Sequence, residues 1–198
     1  MVLLGVDPGL AATGWGVVLA DGGRYRSSAW GCLRTTAQTE LGARLNAIFE
    51  TIAGLIREHR PQVLVMEHLY QLRDGSTGLA VGQAVGVVRL AAAQAGLEVA
   101  EYAPTHLKMT LVGYGGAEKH QVQYMVQRLL GLSAPPTPDH AADALALCIC
   151  HLHSGLSRAG SKAAPSSPGV AESRIAESRI AAALAADERR RTAHARPS

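Results

Sequence analysis

The chain has 198 residues, of which 47% are hydrophobic and 18% charged, a balance typical of a globular protein and not of a disordered one. The formal net charge of +3 is unevenly placed: eight of the 19 basic and four of the 16 acidic residues lie from Gly155 onward. The preceding part is therefore nearly neutral, which excludes a uniformly basic body, and any contact with a polyanion has to come from a local patch.

The N-terminus and the cysteines predict a cytoplasmic protein. No basic segment precedes the apolar residues 2–4, so no secretory signal is predicted, and no apolar run reaches the ~18 residues that cross a bilayer. Three cysteines without C-x-x-C spacing suit a reducing compartment. Cys148 and His151 share a helix face while Cys150 points elsewhere, so buried thiols are favoured over a zinc site.

In chain order, the first part of the sequence predicts three meandering strands, a long helix and a fourth strand. The predicted strands cover residues 2–6, 13–19, 25–33 and 63–66. A hairpin signal at Asp21-Gly22-Gly23 joins the second and third strands. Apolar residues at helical spacing predict a helix over residues 39–59, which ends before Pro61.

The following part predicts helices that alternate with one more strand. The helices cover residues 78–95, 104–112, 117–130 and 139–153, and the strand covers residues 99–102. Thr137 is predicted to cap the last helix, with Pro138 at its first position. Three meandering strands followed by strand–helix alternation indicate an α/β fold, with a five-stranded mixed sheet and helices on both faces.

Residues 154–198 differ from the rest in composition, being rich in Ser, Ala, Pro and Arg. They contain a tandem five-residue repeat over residues 171–180, and a period of five matches neither a helix nor a strand. We therefore predict a folded domain over residues 1–153 and a flexible, weakly helical basic tail over residues 154–198. The tail is either an arm that binds nucleic acid or a partner, or a dispensable extension, and the extension is favoured.

Two acidic residues, Asp7 and Glu67, directly follow predicted buried strands. The carboxyl ends of sheet strands are where open α/β proteins place their ligands. Each residue alone also fits an ordinary role, Asp7 as a turn residue before Pro8-Gly9 and Glu67 as an exposed charge. If the two strands are neighbours, however, the carboxylates meet, and a divalent cation or a shared proton has to relieve their repulsion.

The last predicted helix adds further polar groups near its start. His140 and Asp143 are three residues apart and share a helix face, and Asp139 lies four residues before Asp143. Asp139 also fits the role of a first-turn acid that complements the helix dipole. Because the helix is apolar beyond Asp143, this carboxylate is expected near buried surface, where an unpaired charge is costly.

Three carboxylates with one histidine form an oxygen-rich ligand set that suits Mg²⁺ or Mn²⁺ and not zinc. Two such ions, about 4 Å apart, support in-line phosphodiester hydrolysis by clamping the attacking and leaving oxygens. The sequence therefore predicts a metal-dependent site for phosphodiester chemistry.

Several separate motifs, in order and in register over about residues 1–153, resemble the RuvC family of Holliday-junction resolvases. They are Gly5-Val6-Asp7-Pro8-Gly9, Thr13-Gly14-Trp15-Gly16, Met66-Glu67-His68, Gly82-Gln83-Ala84, Val112-Gly113-Tyr114-Gly115-Gly116-Ala117-Glu118-Lys119 and Ala141-Ala142-Asp143-Ala144. The resemblance implies an RNase H-like fold and a homodimer that cuts four-way DNA junctions by symmetric paired nicks using Mg²⁺. It also implies an association with a branch-migration motor complex.

The resemblance also implies roles for individual residues. Asp7, Glu67 and Asp143 match the metal-binding acids; at the fourth position many relatives have aspartate and this chain has His140, so we favour His140 over the displaced Asp139. His140 is expected either to bind the metal or to act on the attacking water. The remaining expected contacts are to DNA: Lys108 and Lys119 to phosphate, Tyr70 by stacking on an unpaired base, and Arg73 to phosphate.

The predicted helix over residues 78–95 has Gly82 and Gly86 and many alanines, which allow close helix approach, and the resemblance places it at the dimer interface. Two other functions have weaker support in the sequence. A junction-binding protein without cleavage activity has the histidine at position 140 as its one supporting feature. A sugar-kinase or actin-type ATPase needs two such domains, for which this chain is too short.

Overall fold

The computed structural model describes residues 1–68 and 76–160, and ten helices and strands lie within them. The strands are β1 (Val2–Asp7), β2 (Ala12–Asp21), β3 (Arg24–Arg34), β4 (Val63–Glu67) and β5 (Glu98–Tyr102). The helices are α1 (Leu41–His59), α2 (Ser76–Gln94), α3 (Pro104–Val112), α4 (Lys119–Leu130) and α5 (Asp139–Gly160). Every boundary lies within two residues of its prediction except the end of α5, which continues past residue 153 to Gly160.

The five strands form one mixed sheet in the order β3-β2-β1-β4-β5. β1 pairs with β2 and β2 with β3 in antiparallel fashion, whereas β4 is parallel to both β1 and β5. The register aligns Val6 with Met66 across β1 and β4, and Asp7 with Gly14 across β1 and β2. The carboxyl ends of the central strands β1 and β4 therefore lie side by side.

Alternation along the central strands separates two apolar cores. Leu4 of β1 packs in the core beneath α1 and α2, which includes Ile48 and Val88. Leu3, the preceding residue, packs in the core beneath α3, α4 and α5, which includes Ile149. Each face of the sheet thus has its own core beneath helices, as predicted. Full burial of each such side chain contributes about 1.5–3 kcal/mol to stability.

The start of α5 differs from the prediction at its cap. Pro138 precedes the helix, and its carbonyl accepts hydrogen bonds from the N–H groups of Ala141 at 2.9 Å and Ala142 at 3.3 Å. The capping position is therefore Pro138, and the predicted cap by Thr137 is wrong.

The cysteines of α5 are free and buried, as predicted for Cys148 and Cys150. Burial raises the pKa of the Cys148 thiol. Along the described ranges, no helix combines the length and the hydropathy needed to cross a bilayer.

Residues 1–160 form one compact unit. The predicted domain boundary after residue 153 falls inside α5, and the predicted tail from residue 161 onward lies outside the described residues. The division of the chain into a folded domain and a flexible tail thus stays a prediction.

Candidate active site

The side-chain alternation of β1 and β4 places Asp7 and Glu67 on the same face of the sheet. Val6 and Met66, the residues before them, are fully buried in the core beneath α1 and α2. The next residue of each strand therefore points to the opposite face, where α5 packs. Because the two strands are parallel neighbours, both carboxylates emerge at the same edge.

Helix α5 approaches the sheet closely because three glycines of β1 and β2 lie beneath it. A Cβ atom on Gly5 would lie 1.9 Å from the Ala144 carbonyl oxygen, and one on Gly14 would lie 2.1 Å from the His140 carbonyl oxygen. A Cβ on Gly16 would lie 2.6 Å from the Leu145 side chain. Glycine at these positions thus sets the distance between the helix and the strand ends.

This packing brings three side chains together. One ligand atom from each of Asp7, His140 and Asp143 lies within 4.8 Å of the others. His140 Nδ1 is 2.7 Å from Asp7 Oδ2, and the two side chains are 43% and 21% exposed. Glu67 is outside this three-residue cluster, but it lines the same cavity of about 260 Å³ as Asp7 and Asp143.

The electrostatics of this cavity favour a cation. Burial raises the pKa of the Glu67 carboxyl, and the charges of Asp7 and Asp143 raise it further. Burial also raises the pKa of Asp143; Lys119 opposes this rise, and Asp7 adds to it. Carboxylates that repel one another in this way are relieved by a divalent ion. Carboxylate oxygens with one imidazole nitrogen are donors that fit Mg²⁺ or Mn²⁺.

Two lysines line the cavity with the acids, Lys108 from α3 and Lys119 from α4. Lys119 Nζ is 3.1 Å from Asp143 Oδ2 and 3.4 Å from Asp139 Oδ2. Partial burial lowers the pKa of Lys119, but its contacts with these two aspartates outweigh that effect, so the net pKa is raised. Lys119 is thus held in place as a cation beside the cluster.

Asp139, the alternative fourth ligand, lies outside the three-residue cluster and makes other contacts. Its Oδ1 accepts a hydrogen bond from Gln123 Nε2 at 3.0 Å. This hydrogen bond, followed by the contact with Lys119, lowers the pKa of Asp139. The geometry therefore groups His140, and not Asp139, with Asp7 and Asp143.

The other predicted DNA contacts, Tyr70 and Arg73, lie outside the described residues. Sequence reasoning missed the three glycines under α5, although an alternation of glycine along a strand is a signal of close approach by another backbone. It also missed the hydrogen bond from the Glu118 N–H to Gln121 Oε1 at 2.9 Å, which fixes the start of α4 just before Lys119.

Comparison with known proteins gives consistent matches. The family model described as "Crossover junction endodeoxyribonuclease RuvC" matches residues 3–151. The protein of that name from Syntrophomonas wolfei is 46% identical over 154 residues, covering 78% of this chain and 90% of its own. The one from Heliobacterium modesticaldum is 49% identical over 154 residues, covering 78% and 95%.

A solved structure titled "T. thermophilus RuvC in complex with Holliday junction substrate" matches with a TM-score of 0.76 and 33% identity, covering 80% of this chain and 96% of that one. The RNase H-like fold expected from the sequence is thereby confirmed. The chain therefore belongs to the RuvC family of crossover junction endodeoxyribonucleases.

Proposed function

We propose that Asp7, Glu67, His140 and Asp143 form the metal-dependent catalytic site with which this chain resolves four-way DNA junctions by symmetric paired nicks. As a member of its family, the chain is a Holliday junction endonuclease of DNA recombination and repair. The observation that carries the assignment of residues is the cluster of Asp7, His140 and Asp143 within 4.8 Å, with Glu67 on the wall of the same cavity.

The family is metal-dependent, and we propose two Mg²⁺ or Mn²⁺ ions for each site. When bound, such ions stabilise the negative charge that develops on the phosphodiester oxygens. Asp7 and Asp143 supply oxygens from opposite sides, one from the sheet and one from α5, and Glu67 supplies a third carboxylate. The raised pKa values of Glu67 and Asp143 support this assignment. Burial, the main cause, disfavours both charged carboxylates, the charge of Asp7 adds to the effect, and cations would relieve this cost.

His140 has two candidate roles, which a metal titration separates. As a ligand, its imidazole favours Mn²⁺ over Mg²⁺; as a group outside the metal shell, it orients Asp7 through the 2.7 Å contact and exchanges a proton with the attacking water. We expect Mn²⁺ to support cutting at least as well as Mg²⁺. A clear preference for Mg²⁺ in a matched titration would count against direct ligation by His140.

We propose that Lys108 and Lys119 bind the phosphate being cut, since both line the cavity that contains the acids. A metal ion bound to Asp143 would compete with Lys119 for this carboxylate. The ammonium group of Lys119 would then be available to bind phosphate. Stacking of Tyr70 on an unpaired base and contact of Arg73 with phosphate remain proposals from the sequence, as does a cytoplasmic location.

We propose that α2 forms the interface of a homodimer. Its outward face exposes Leu79 at 66% and Leu90 at 52%, and Gly86 between them has no neighbouring heavy atom within 4 Å of an added Cβ. Exposed apolar residues on one helix face are typical of a protein contact. A two-fold dimer would hold two sites in fixed relation, as paired nicking requires. The branch-migration motor complex is a further proposed partner.

A synthetic four-way junction tests the assignment. The wild-type protein should make paired nicks with Mg²⁺ or Mn²⁺ and none with a chelator, whereas Asp7→Asn should bind the junction without cutting it. Asp21→Asn, which changes an exposed aspartate in the hairpin, is the matched control and should cut normally. Binding by the wild-type protein without any nick would favour the alternative, a junction-binding protein without cleavage activity.

A further inference from the structure

A second cavity, of about 400 Å³, adjoins the catalytic cluster on the side of α1 and α2. Its walls are the turn at residues 9–12, Arg44, Ala80, Val81 and His140. His140 is also a member of the three-residue cluster, so the two sites share this side chain. A ligand in the second cavity would therefore contact His140 and lie next to Asp7 and Asp143.

Arg44 is hydrogen-bonded in the wall of this cavity. Its Nε donates to Thr35 Oγ1 at 2.9 Å, and the Thr35 hydroxyl in turn donates to the Leu10 carbonyl at 2.5 Å. The Thr35 N–H donates to the Ala11 carbonyl at 3.0 Å. The arginine is thus tied at one edge of its guanidinium group to the turn that follows β1.

Among the residues that the structure describes, the charge of Arg44 has no carboxylate partner. None of the ion pairs found among residues 1–68 and 76–160 includes this half-buried side chain. A partly buried cation without a counter-charge is costly, and the two Nη groups offer the planar fork that matches a phosphate group.

The turn itself supplies further donors. Among the described residues, the N–H groups of Gly9, Leu10 and Ala11 do not appear as donors in the hydrogen bonds outside helices and strands. Backbone N–H groups of a turn that have no protein acceptor are available to an anion that enters the cavity. The wall has no acidic side chain in the described part of the chain, and Ala80 and Val81 add apolar surface suited to a sugar.

We propose that Arg44 and the turn at residues 9–12 bind a backbone phosphate that flanks the cut on the DNA strand, and so position that strand over Asp7, His140 and Asp143. The inference rests on the proposed function, because the ligand is the junction DNA. In this role Arg44 is a positioning residue: it touches the substrate backbone away from the bond that breaks.

Phosphate neutralisation tests the proposal. Single uncharged methylphosphonates are placed at successive positions around the cut of a synthetic junction, and affinity is measured in the non-cutting Asp7→Asn background. One flanking position should weaken binding about 10-fold when Arg44 is present. Arg44→Ala should bind the all-phosphate junction about 10-fold more weakly than the protein with Arg44. In this variant, a methylphosphonate at the sensitive position should weaken binding no further. The magnitude of the slope of log affinity against log salt concentration should decrease by about 1.

Arg57→Ala is the matched control, because Arg57 lies exposed on the same helix. It should keep the position-specific effect. The proposal is overturned if Arg44→Ala keeps that effect, or if Arg44→Ala and Arg57→Ala have the same salt slope. Should Arg44→Ala fail to fold by thermal melting, Arg44→Lys replaces it; full retention of the position-specific effect by the lysine variant then overturns recognition by the guanidinium fork. If the wild-type protein neither binds nor cuts the junction, the proposed function fails instead.

Discussion

The glycine under the start of α5 gives a quantitative test of how the site is assembled. In Gly14→Ala the new Cβ would lie 2.1 Å from the His140 carbonyl oxygen and 2.7 Å from the His140 Cβ. To reach 3.0 Å, the shortest spacing that Cβ atoms normally show, the helix has to move away by about 0.9 Å. His140 and Asp143 move with the helix, whereas Asp7 stays with the strand.

We expect Gly14→Ala to lower the free energy of unfolding by about 1–3 kcal/mol, the usual cost of overpacking. The cutting rate should fall by about 100-fold, since a misplacement of about 1 Å at reacting groups has that effect. Junction binding should change little, because the DNA-facing surface is retained. Denaturant unfolding, single-turnover cutting and a gel-shift titration measure these three quantities.

Gly54→Ala is the control, because its added Cβ meets only Arg57 Nη2, at 4.0 Å. Alanine in this helix interior should raise the free energy of unfolding by about 0.5–1 kcal/mol and leave cutting unchanged. Wild-type stability and a wild-type cutting rate in Gly14→Ala would refute the argument that the glycine sets the position of α5.

Three further predictions follow from the site and the surface. In the metal-free protein the contribution of Glu67 and Asp143 to stability should increase as pH falls from neutral, because burial raises the pKa of both carboxyls and folding then takes up protons, whereas the lowered pKa of Asp139 acts in the opposite direction. Denaturant unfolding of the wild type and of Glu67→Gln across pH isolates this contribution, and identical pH profiles for the two proteins would contradict it. Leu90→Glu should give monomers in sedimentation and single nicks in place of paired ones, whereas Leu41→Glu, at an exposed leucine on another helix, should stay dimeric; a dimeric Leu90→Glu would exclude the proposed interface. Iodoacetamide should label Cys32 before the buried Cys148, as mass spectrometry would show, and equal labelling would count against the described burial.

The order and type of the elements could be predicted from the sequence because its periodicities are clear. β4 is a continuous apolar run, as a strand buried on both faces requires, and α1 repeats apolar residues at helical spacing. The positions of Asp7 and Glu67 directly after such strands predicted that they meet if the two strands are neighbours, and the parallel pairing of β1 with β4 meets that condition. Their placement depends only on strand pairing and on the two-residue alternation.

The contacts of the site could not be predicted because they depend on distances between separate elements. The sequence shows His140 and Asp143 on one helix face, but the 2.7 Å contact between His140 and Asp7 depends on how closely α5 packs. The placement of Lys119 between Asp139 and Asp143 likewise depends on the angle between α4 and α5. The cap at Pro138 was missed because a side-chain cap by Thr137 was the stronger local signal.

The cluster joins the first strand of the fold to its last helix, with Asp7 and Asp143 separated by most of the described chain. During synthesis, a chain whose α5 has not yet left the ribosome has only Asp7 and Glu67, the two proposed ligands that the sheet supplies. If this ligand set is the catalytic one, we expect the capacity to cut DNA to arise only once α5 is in place, and truncated products that lack α5 not to cut.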